Sequence, residues 1–351
     1  MAGVSRTRVR ALAAALATVA LLVGCTAPSG NKAMLVRVLE YETVVADKGE
    51  VPDPVLPLTW PLTGVETEKV AERPAMSVKI ENSDQARPQT GLGSADVVWE
   101  EMVEGGITRF NAVFHSDVPP VVGPIRSLRP MDAAISGPFG GLFVFSGGQG
   151  QFVSQVARTG LTMLSHDGGN AGFYRTSDRV APHNVYGDTD TFLAAGRGQD
   201  PPPTQFEFGR DADDATALDG ASTRRITIAF PSANPGWAWD DGVWKRTEDG
   251  QPATTADDGR ITAVNVVVLR VQVRNSGATD PAGNPVPETI LTGSGDAVVF
   301  SGGHRIEATW SKSETTSVLS LTTADGEPVL LAPGNVWVEL VPVSGSSVSA
   351  S

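Results

Sequence analysis

Hydrophobic and polar residues alternate between Asp96 and Phe114, and the glycine pair Gly105-Gly106 interrupts the alternation at its middle. Alternation with period two is typical of β-strands, and a two-residue hairpin turn favours glycine because both positions need positive φ. We therefore predict a hairpin with Gly105 and Gly106 as its turn. Such a turn sets three cross-strand pairs: Glu104 with Ile107, Met102 with Arg109, and Glu100 with Asn111.

The predicted hairpin has two unlike faces. The face expected to pack against the core carries Trp99, Val103, Thr108, Phe110, Ala112 and Phe114, with Glu101 as a charged misfit. The opposite, polar face carries Glu100, Met102, Glu104, Arg109 and Asn111. A helix over residues 95–104 is the alternative, and it also brings Glu100 and Glu104 together because residues i and i+4 are neighbours on a helix.

The remaining pattern differs between the two halves of the chain. The N-terminal half mixes strands at Met76–Ile80 and Leu142–Phe145 with helices near Met131–Ser136 and Gln151–Arg158. The C-terminal half is a run of short strands separated by turns such as Asp241-Gly242 and Gly302-Gly303. The predicted fold class is α+β: a mixed α/β N-terminal domain at 71–200, a linker at 201–222, a mainly antiparallel β C-terminal domain at 223–345 and a disordered tail at 346–351.

The first 24 residues have the pattern of a lipoprotein signal peptide. Three arginines precede an apolar run from Ala11 to Val23, which is short for a membrane span, and Gly24-Cys25 follows it. We predict cleavage before Cys25, lipidation of that thiol with a diacylglycerol and palmitate, and a proline-rich tether at 25–70. The predicted location is the extracytoplasmic face of the cell membrane. An ordinary signal peptide with a chance cysteine is the alternative.

Composition narrows the classes of function. Cys25 is the only cysteine, so once it is acylated no thiol remains for a disulfide, a nucleophile or a zinc site. His115, His166 and His304 lack metal-ligand spacing, and we expect neither a metal nor a cofactor. The net charge is −13, and it becomes −16 when the signal peptide is lost with its three arginines. This surface predicts no nucleic-acid partner.

Arg126 and Arg129 lie between Pro124 and Pro130 in this acidic chain. The guanidinium group pairs bidentately with carboxylate or phosphate, so the loop is a candidate anion clamp. Two ordinary arginines that pair with surface acids are the alternative. The glycine-rich segment 147–150 precedes a predicted helix, and it is either a second anion-binding loop or a simple tight turn.

Acid-base candidates are fewer. Glu100 and Glu104 are candidates for an acid-base pair of the kind that hydrolyses a sugar bond, where two carboxylates flank the bond, or they form a solvated strand face beside Arg109. His183 next to Asn184 is a candidate general base or ligand contact, or a histidine that ties a loop.

Several blocks occur in an order that resembles the YerB-like lipoproteins, a domain family of unknown function. The blocks are Ala86–Leu92, Ala95–Glu100, Glu104–Phe110, Gly123–Arg129 and Pro182–Asn184, with a smaller C-terminal domain suggested by 265–268 and 333–337. Trp99 and Leu128 depart from the family pattern but remain apolar. The resemblance implies a two-domain lipoprotein and supplies no substrate.

These observations lead to one hypothesis and two rivals. We expect a polar cleft in the N-terminal domain that binds an anionic, cell-wall-derived ligand through Arg87, Arg109, Arg126, Arg129 and Asn184. The first rival is a cell-envelope hydrolase or transferase that uses Glu100 or Glu104 with His183. The second is a scaffold for another envelope protein. Whether the chain is an enzyme stays open at this stage.

Overall fold

A computed structural model describes residues 57–256 and 259–351. The strands of the N-terminal half are β1 (Met76–Glu81), β2 (Val97–Met102), β3 (Thr108–Phe114), β4 (Val121–Val122), β5 (Leu142–Phe145), β6 (Thr162–Ser165), β7 (Phe173–Arg175) and β8 (Val185–Asp188). The α-helices among the described residues are short: α1 (Asp132–Ser136), α2 (Gly150–Ala157) and α3 (Thr189–Ala195). Strands therefore dominate the N-terminal half as well, and the predicted mixed α/β N-terminal domain is not confirmed.

The elements described after residue 220 are all strands. They are β9 (Ala221–Ser222), β10 (Arg225–Ala229), β11 (Pro235–Asp240), β12 (Val243–Glu248), β13 (Gln251–Pro252), β14 (Thr254–Thr255), β15 (Gly259–Arg260), β16 (Thr262–Ala263), β17 (Asn265–Thr279), β18 (Pro285–Ile290), β19 (Gly293–Ser301), β20 (His304–Lys312), β21 (Ser320–Thr322), β22 (Val336–Pro342) and β23 (Ser347–Ala350). Most pair antiparallel, as the turn pattern predicted, but β22 lies parallel to both β17 and β2.

One large sheet contains strands from both halves of the chain. Its main path runs in the order β21-β20-β19-β17-β22-β2-β3-β1-β5-β6. The junction is the parallel pair of β2 with β22, in which Glu100 lies beside Glu339. Apolar side chains cover both sheet faces, around Phe110 and Trp337 on one and around Val113 and Val338 on the other. The two halves therefore share a hydrophobic core.

The central hairpin forms where it was predicted, but its register differs. Gly105 and Gly106 have φ of 72° and 75°, as a glycine turn requires. The connection has three residues, because Glu104 joins the glycines and Val103 pairs with Ile107. The pairs are therefore Glu100 with Phe110 and Glu101 with Arg109. The predicted two-residue turn and the helical alternative are both wrong, and a slip of one residue moves side chains to the opposite face.

Segments expected to lack structure are packed in the described range. Residues 346–351 were predicted to be a disordered tail, but β23 pairs with β10 in a second sheet. The predicted linker buries Phe206 and Ala217, and Phe208 bridges to Leu331. At the end of the predicted tether Leu62 is buried. Each segment therefore packs apolar side chains into the folded body or extends its backbone hydrogen bonding.

The predicted signal peptide, Cys25 and the first part of the tether lie outside the described residues. Within the described range, no helix has the length and apolar character needed to cross a membrane.

Candidate functional site

The candidate site lies where three parallel strands end. Strands β1, β5 and β6 run parallel, and α2 connects β5 to β6. Past the last β1–β5 pair the arginine-bearing loop enters between the two strands: Arg126 N donates to Lys79 O at 2.8 Å and Ser146 N donates to Arg126 O at 3.0 Å. In open α/β sheets, ligands bind outside the carboxyl ends of parallel strands. The fold therefore fixes the loop at an edge suited to a ligand.

Six ionisable side chains meet at this edge. We call them the arginine cleft: Arg109, Arg126, Arg129, Glu81, Glu104 and His183. Arg129 forms a two-pronged ion pair with Glu104, with Nε to Oε1 and Nη2 to Oε2 both at 2.6 Å. Arg126 Nε lies 3.6 Å from Glu81 Oε1. Arg109 is buried and donates from Nη1 to Ser127 O at 2.9 Å.

The cleft contains more positive than negative groups. Within this set of six side chains three guanidinium groups face two carboxylates, and Glu101 of the neighbouring strand lies across from Arg109. Burial, and then the neighbouring Arg129 and Arg126, lower the pKa of Arg109 to about 9. The buried Nε of Arg109 has no hydrogen-bond partner in the described part of the chain. Like charges held together in this way are stabilised when an anion binds.

His183 is fixed by the loop that carries it. Its Nδ1 lies 2.8 Å from Glu81 Oε1, and Ser83 Oγ donates to the same oxygen at 2.9 Å. Asn184, expected to contact a ligand, instead orders the loop: its Nδ2 donates to Thr176 O and Arg179 O. Arg179 in turn donates to two backbone carbonyls of the 85–88 segment. The sequence did not single out Glu81, although its position at the end of a strand is typical of site residues.

A fully buried charge cluster lies on the same sheet face as Arg109. Lys79 pairs with Glu101 and with Asp132, the latter at 2.9 Å, and Asn111 Nδ2 donates to Asp132 Oδ1 at 2.9 Å. Burial and the nearby Asp132 raise the pKa of Glu101 to about 7, against the opposing effect of Lys79. The sequence carried a signal for this cluster, since Glu101 was the charged misfit on the predicted core face.

Glu100 lies in another cluster on the other face of the hairpin. We call it the seam cluster: Arg246, Glu100, Glu248 and Glu339. Arg246 is fully buried and lies 2.6 Å from Glu100, 2.7 Å from Glu248 and 3.0 Å from Glu339. The guanidinium also packs against the rings of Phe110, Trp237 and Trp337. The one-residue change of register explains why Glu100 and Arg109 do not share a face.

Arg87 also lies outside the arginine cleft. Its Nε donates to Asn82 Oδ1 at 3.1 Å, and its Nη2 lies 3.4 Å from Glu248 of the seam cluster. Of the residues predicted to converge, the structure thus brings together Arg109, Arg126, Arg129, Glu104 and His183. It places Arg87 and Glu100 with the seam cluster, because they meet strand β12 of the C-terminal half.

The glycine-rich loop borders a cavity beside the cleft. A cavity of about 270 Å³ is lined by Ser127, Arg129, Gly148, Gln149, Phe152, Asp280, Pro281 and Val286. A side chain at position 148 would meet Leu128 Cγ at 2.9 Å, so this close approach requires glycine. Among the described residues, no group of three or more His, Cys, Asp or Glu side chains is arranged to hold a metal ion.

Comparisons with known proteins agree on one group of relatives. Two family models match: the N-terminal domain of a protein of unknown function (DUF3048) over residues 62–201, and its C-terminal domain over 226–338. YerB of Bacillus subtilis (strain 168), which is named as a lipoprotein, is 29% identical over 321 residues, 86% of this chain and 92% of the relative. The crystal structure of YerB matches with a TM-score of 0.70 and 26% identity, covering 83% of this chain and 99% of that chain.

Proposed function

The chain belongs to the YerB-like family with DUF3048 domains, and we propose that it is a lipid-anchored extracytoplasmic protein that binds a small anionic ligand in its arginine cleft. The proposed ligand is an anion derived from the cell wall, because a protein anchored at the extracytoplasmic face of the membrane would meet such molecules. The family assigns no ligand, so the proposal rests on the cleft itself.

One observation carries the proposal: the arginine cleft has a free guanidinium edge. Arg129 is occupied by Glu104 and Arg109 by a backbone carbonyl. Arg126 Nε lies 3.6 Å from Glu81 Oε1, which is longer than a hydrogen bond, and neither of its Nη atoms has a hydrogen-bond partner among residues 57–256 and 259–351. Its side chain is 24% exposed, so a ligand from solvent can reach it. A planar guanidinium edge offers two parallel donors to carboxylate or phosphate oxygens.

Binding of inorganic phosphate and of acetate tests this proposal. The full-length lipoprotein, purified in a nonionic detergent, is titrated by calorimetry at low ionic strength, because salt screens such contacts. We expect Arg126→Ala to weaken binding about tenfold or more, which corresponds to the loss of one or two charge-assisted hydrogen bonds. The matched control is Arg225→Ala, which removes an exposed arginine of β10, remote in sequence. Equal affinity in the wild type, Arg126→Ala and Arg225→Ala would overturn the proposal.

The anchor is a separate part of the proposal. It rests on the pattern that ends at Cys25 and on the lipoprotein name of the relative. We expect metabolic labelling with a palmitate analogue to mark the wild type and not Cys25→Ser, since no other thiol exists in the chain. Label retained by Cys25→Ser would contradict lipidation at this residue.

A further inference from the structure

The pair formed by His183 and Glu81 has the geometry of an oriented acid-base group. Oε1 of the buried Glu81 lies 2.8 Å from Nδ1 of the imidazole ring. The other nitrogen, Nε2, has no hydrogen-bond partner in the described range, and the side chain is 23% exposed. A carboxylate on Nδ1 fixes the tautomer and leaves Nε2 able to accept a proton.

The same carboxylate oxygen joins this histidine to the anion site. Glu81 Oε1 lies 2.8 Å from His183 Nδ1 and 3.6 Å from Arg126 Nε. The imidazole and the guanidinium of Arg126 thus approach the same carboxylate oxygen, the first through Nδ1 and the second through Nε. The glutamates predicted from the sequence as partners of His183 are engaged elsewhere, Glu104 with Arg129 and Glu100 with Arg246.

We propose that the arginine cleft hydrolyses a phosphodiester, with His183 as general base and Glu81 as its positioning residue; this rests on the anion binding proposed above. Arg126 offers one guanidinium whose Nη atoms have no partner among the described residues, which suits a ligand with a single negative charge. A phosphodiester is a monoanion that also carries a cleavable bond. Arg126 stabilises the charge that builds on the non-bridging oxygens in the transition state.

The reaction needs only water. A water oxygen attacks phosphorus while His183 Nε2 takes one of its protons, and the bond from phosphorus to the ester oxygen breaks. The imidazolium then returns the proton to the departing alkoxide. The products are a phosphomonoester and an alcohol, and His183 ends in its starting state.

The test uses bis(4-nitrophenyl) phosphate as the diester, with the full-length lipoprotein in detergent. 4-Nitrophenyl phosphate, a dianion, and 4-nitrophenyl acetate, a neutral ester, are the comparison substrates. We expect saturable release of 4-nitrophenolate from the diester in preference to the other two. His183→Gln lowers kcat at least 100-fold, while its affinity for inorganic phosphate stays within about threefold of the wild type. The matched control His304→Gln, a histidine of β20, keeps full activity.

Glu81→Gln separates positioning from a structural role. Losing this carboxylate removes a negative charge beside Arg126, so we expect phosphate to bind more tightly. We also expect kcat to fall, because the imidazole loses its orienting partner. His183→Ala is made as a second variant in case His183→Gln does not fold. The far-ultraviolet circular dichroism spectrum of each variant is compared with that of the wild type. Phosphate binding without diester turnover, or turnover unchanged in both His183 variants, would overturn the hydrolase and leave the binding proposal standing. Faster turnover of the monoester would overturn the assignment to diesters. Loss of phosphate binding in the wild type would overturn both.

Discussion

Two charge clusters lie back to back on the same pair of strands, and they differ in balance and in exposure. Strand β2 sends Glu100 to the seam cluster, while the next residue, Glu101, lies on the face of the arginine cleft. In the seam cluster one guanidinium serves three buried carboxylates, so negative groups are in surplus. In the cleft three guanidiniums face two carboxylates, and Arg126 remains partly exposed.

We interpret the difference as one between charges that hold the fold together and charges that, on our proposal, bind a ligand. Arg246 uses its guanidinium on three carboxylates and three aromatic rings, which leaves no access for a ligand. The cluster joins residues of both halves across the parallel pair of β2 and β22. The cleft instead leaves a cationic edge open at the end of a sheet. We therefore expect mutations in the seam cluster to change stability and mutations in the cleft to change binding.

Replacing the central arginine of the seam cluster gives the largest expected effect. Arg246→Met retains the stem but leaves the buried Glu100 and Glu339 without a cation, while Glu248 keeps Arg87 at 3.4 Å. We therefore expect a loss of about 3–5 kcal/mol in the free energy of unfolding. Urea denaturation of the full-length protein, followed by tryptophan fluorescence, measures it. The matched control is Arg274→Ala, whose exposed ion pair with Glu288 should be worth less than about 1 kcal/mol. Similar losses in both variants would mean that burial does not distinguish the two arginines.

Glu100 makes the stability of the fold depend on pH, and Glu100→Gln should remove that dependence. Burial raises the pKa of Glu100 to about 8, with Arg246 opposing the rise and Glu339 adding to it. A carboxyl group with a raised pKa stabilises the fold fully below about pH 4.5, and this contribution is lost as the pH rises through 8. We expect the wild type to lose at most about 1.4 kcal/mol per pH unit from this group. Glu100→Gln stays neutral, so its stability should fall less between pH 6 and pH 9; parallel profiles would contradict the assignment.

The same hairpin shows what the sequence could predict. Alternation placed both strands, and the glycine pair marked the turn, because few other residues accept φ near +75°. The pattern could not tell a two-residue from a three-residue connection, since Glu104 fits both. The ladder that decides this is completed by β22, a strand more than 200 residues away in the chain. Glu100 was therefore assigned to the face of Arg109, and it lies on the other.

The site was predictable in part for a related reason. The arginines between two prolines stood out in an acidic chain, and His183 followed a polar run. Glu81 and Lys79 were missed because a strand of six residues with two charges reads as half-exposed, whereas all of β1 is buried. Partners from the C-terminal half, such as Arg246, could not be inferred because local periodicity carries no information on distant pairing.

The third prediction concerns the turn of the hairpin whose strands carry both clusters. Gly105 and Gly106 both have positive φ, but a side chain at 105 would meet open space whereas one at 106 would approach Pro231 Cβ to 2.6 Å. We expect Gly105→Ala to cost about 1 kcal/mol from backbone strain alone, and Gly106→Ala to cost roughly 1–2 kcal/mol more. Urea midpoints of the two variants measure the difference. Equal losses would show that the contact with Pro231 does not constrain the turn.

The smallest effect on stability should come from the residue with the largest effect on binding. Arg126→Ala removes a partly exposed cation whose contact with Glu81 is long, at 3.6 Å, and whose charge opposes Arg109. We expect the unfolding free energy in phosphate-free buffer to change by no more than about 0.5 kcal/mol.

Adding phosphate stabilises a protein that binds it by RT ln(1 + [L]/Kd), about 1.4 kcal/mol at ten times Kd. The wild type and Arg225→Ala should gain this increment, and Arg126→Ala should gain only the general effect of the salt. A large loss of stability in Arg126→Ala would place this arginine with the structural charges, alongside Arg246, and the distinction between the two clusters would fail.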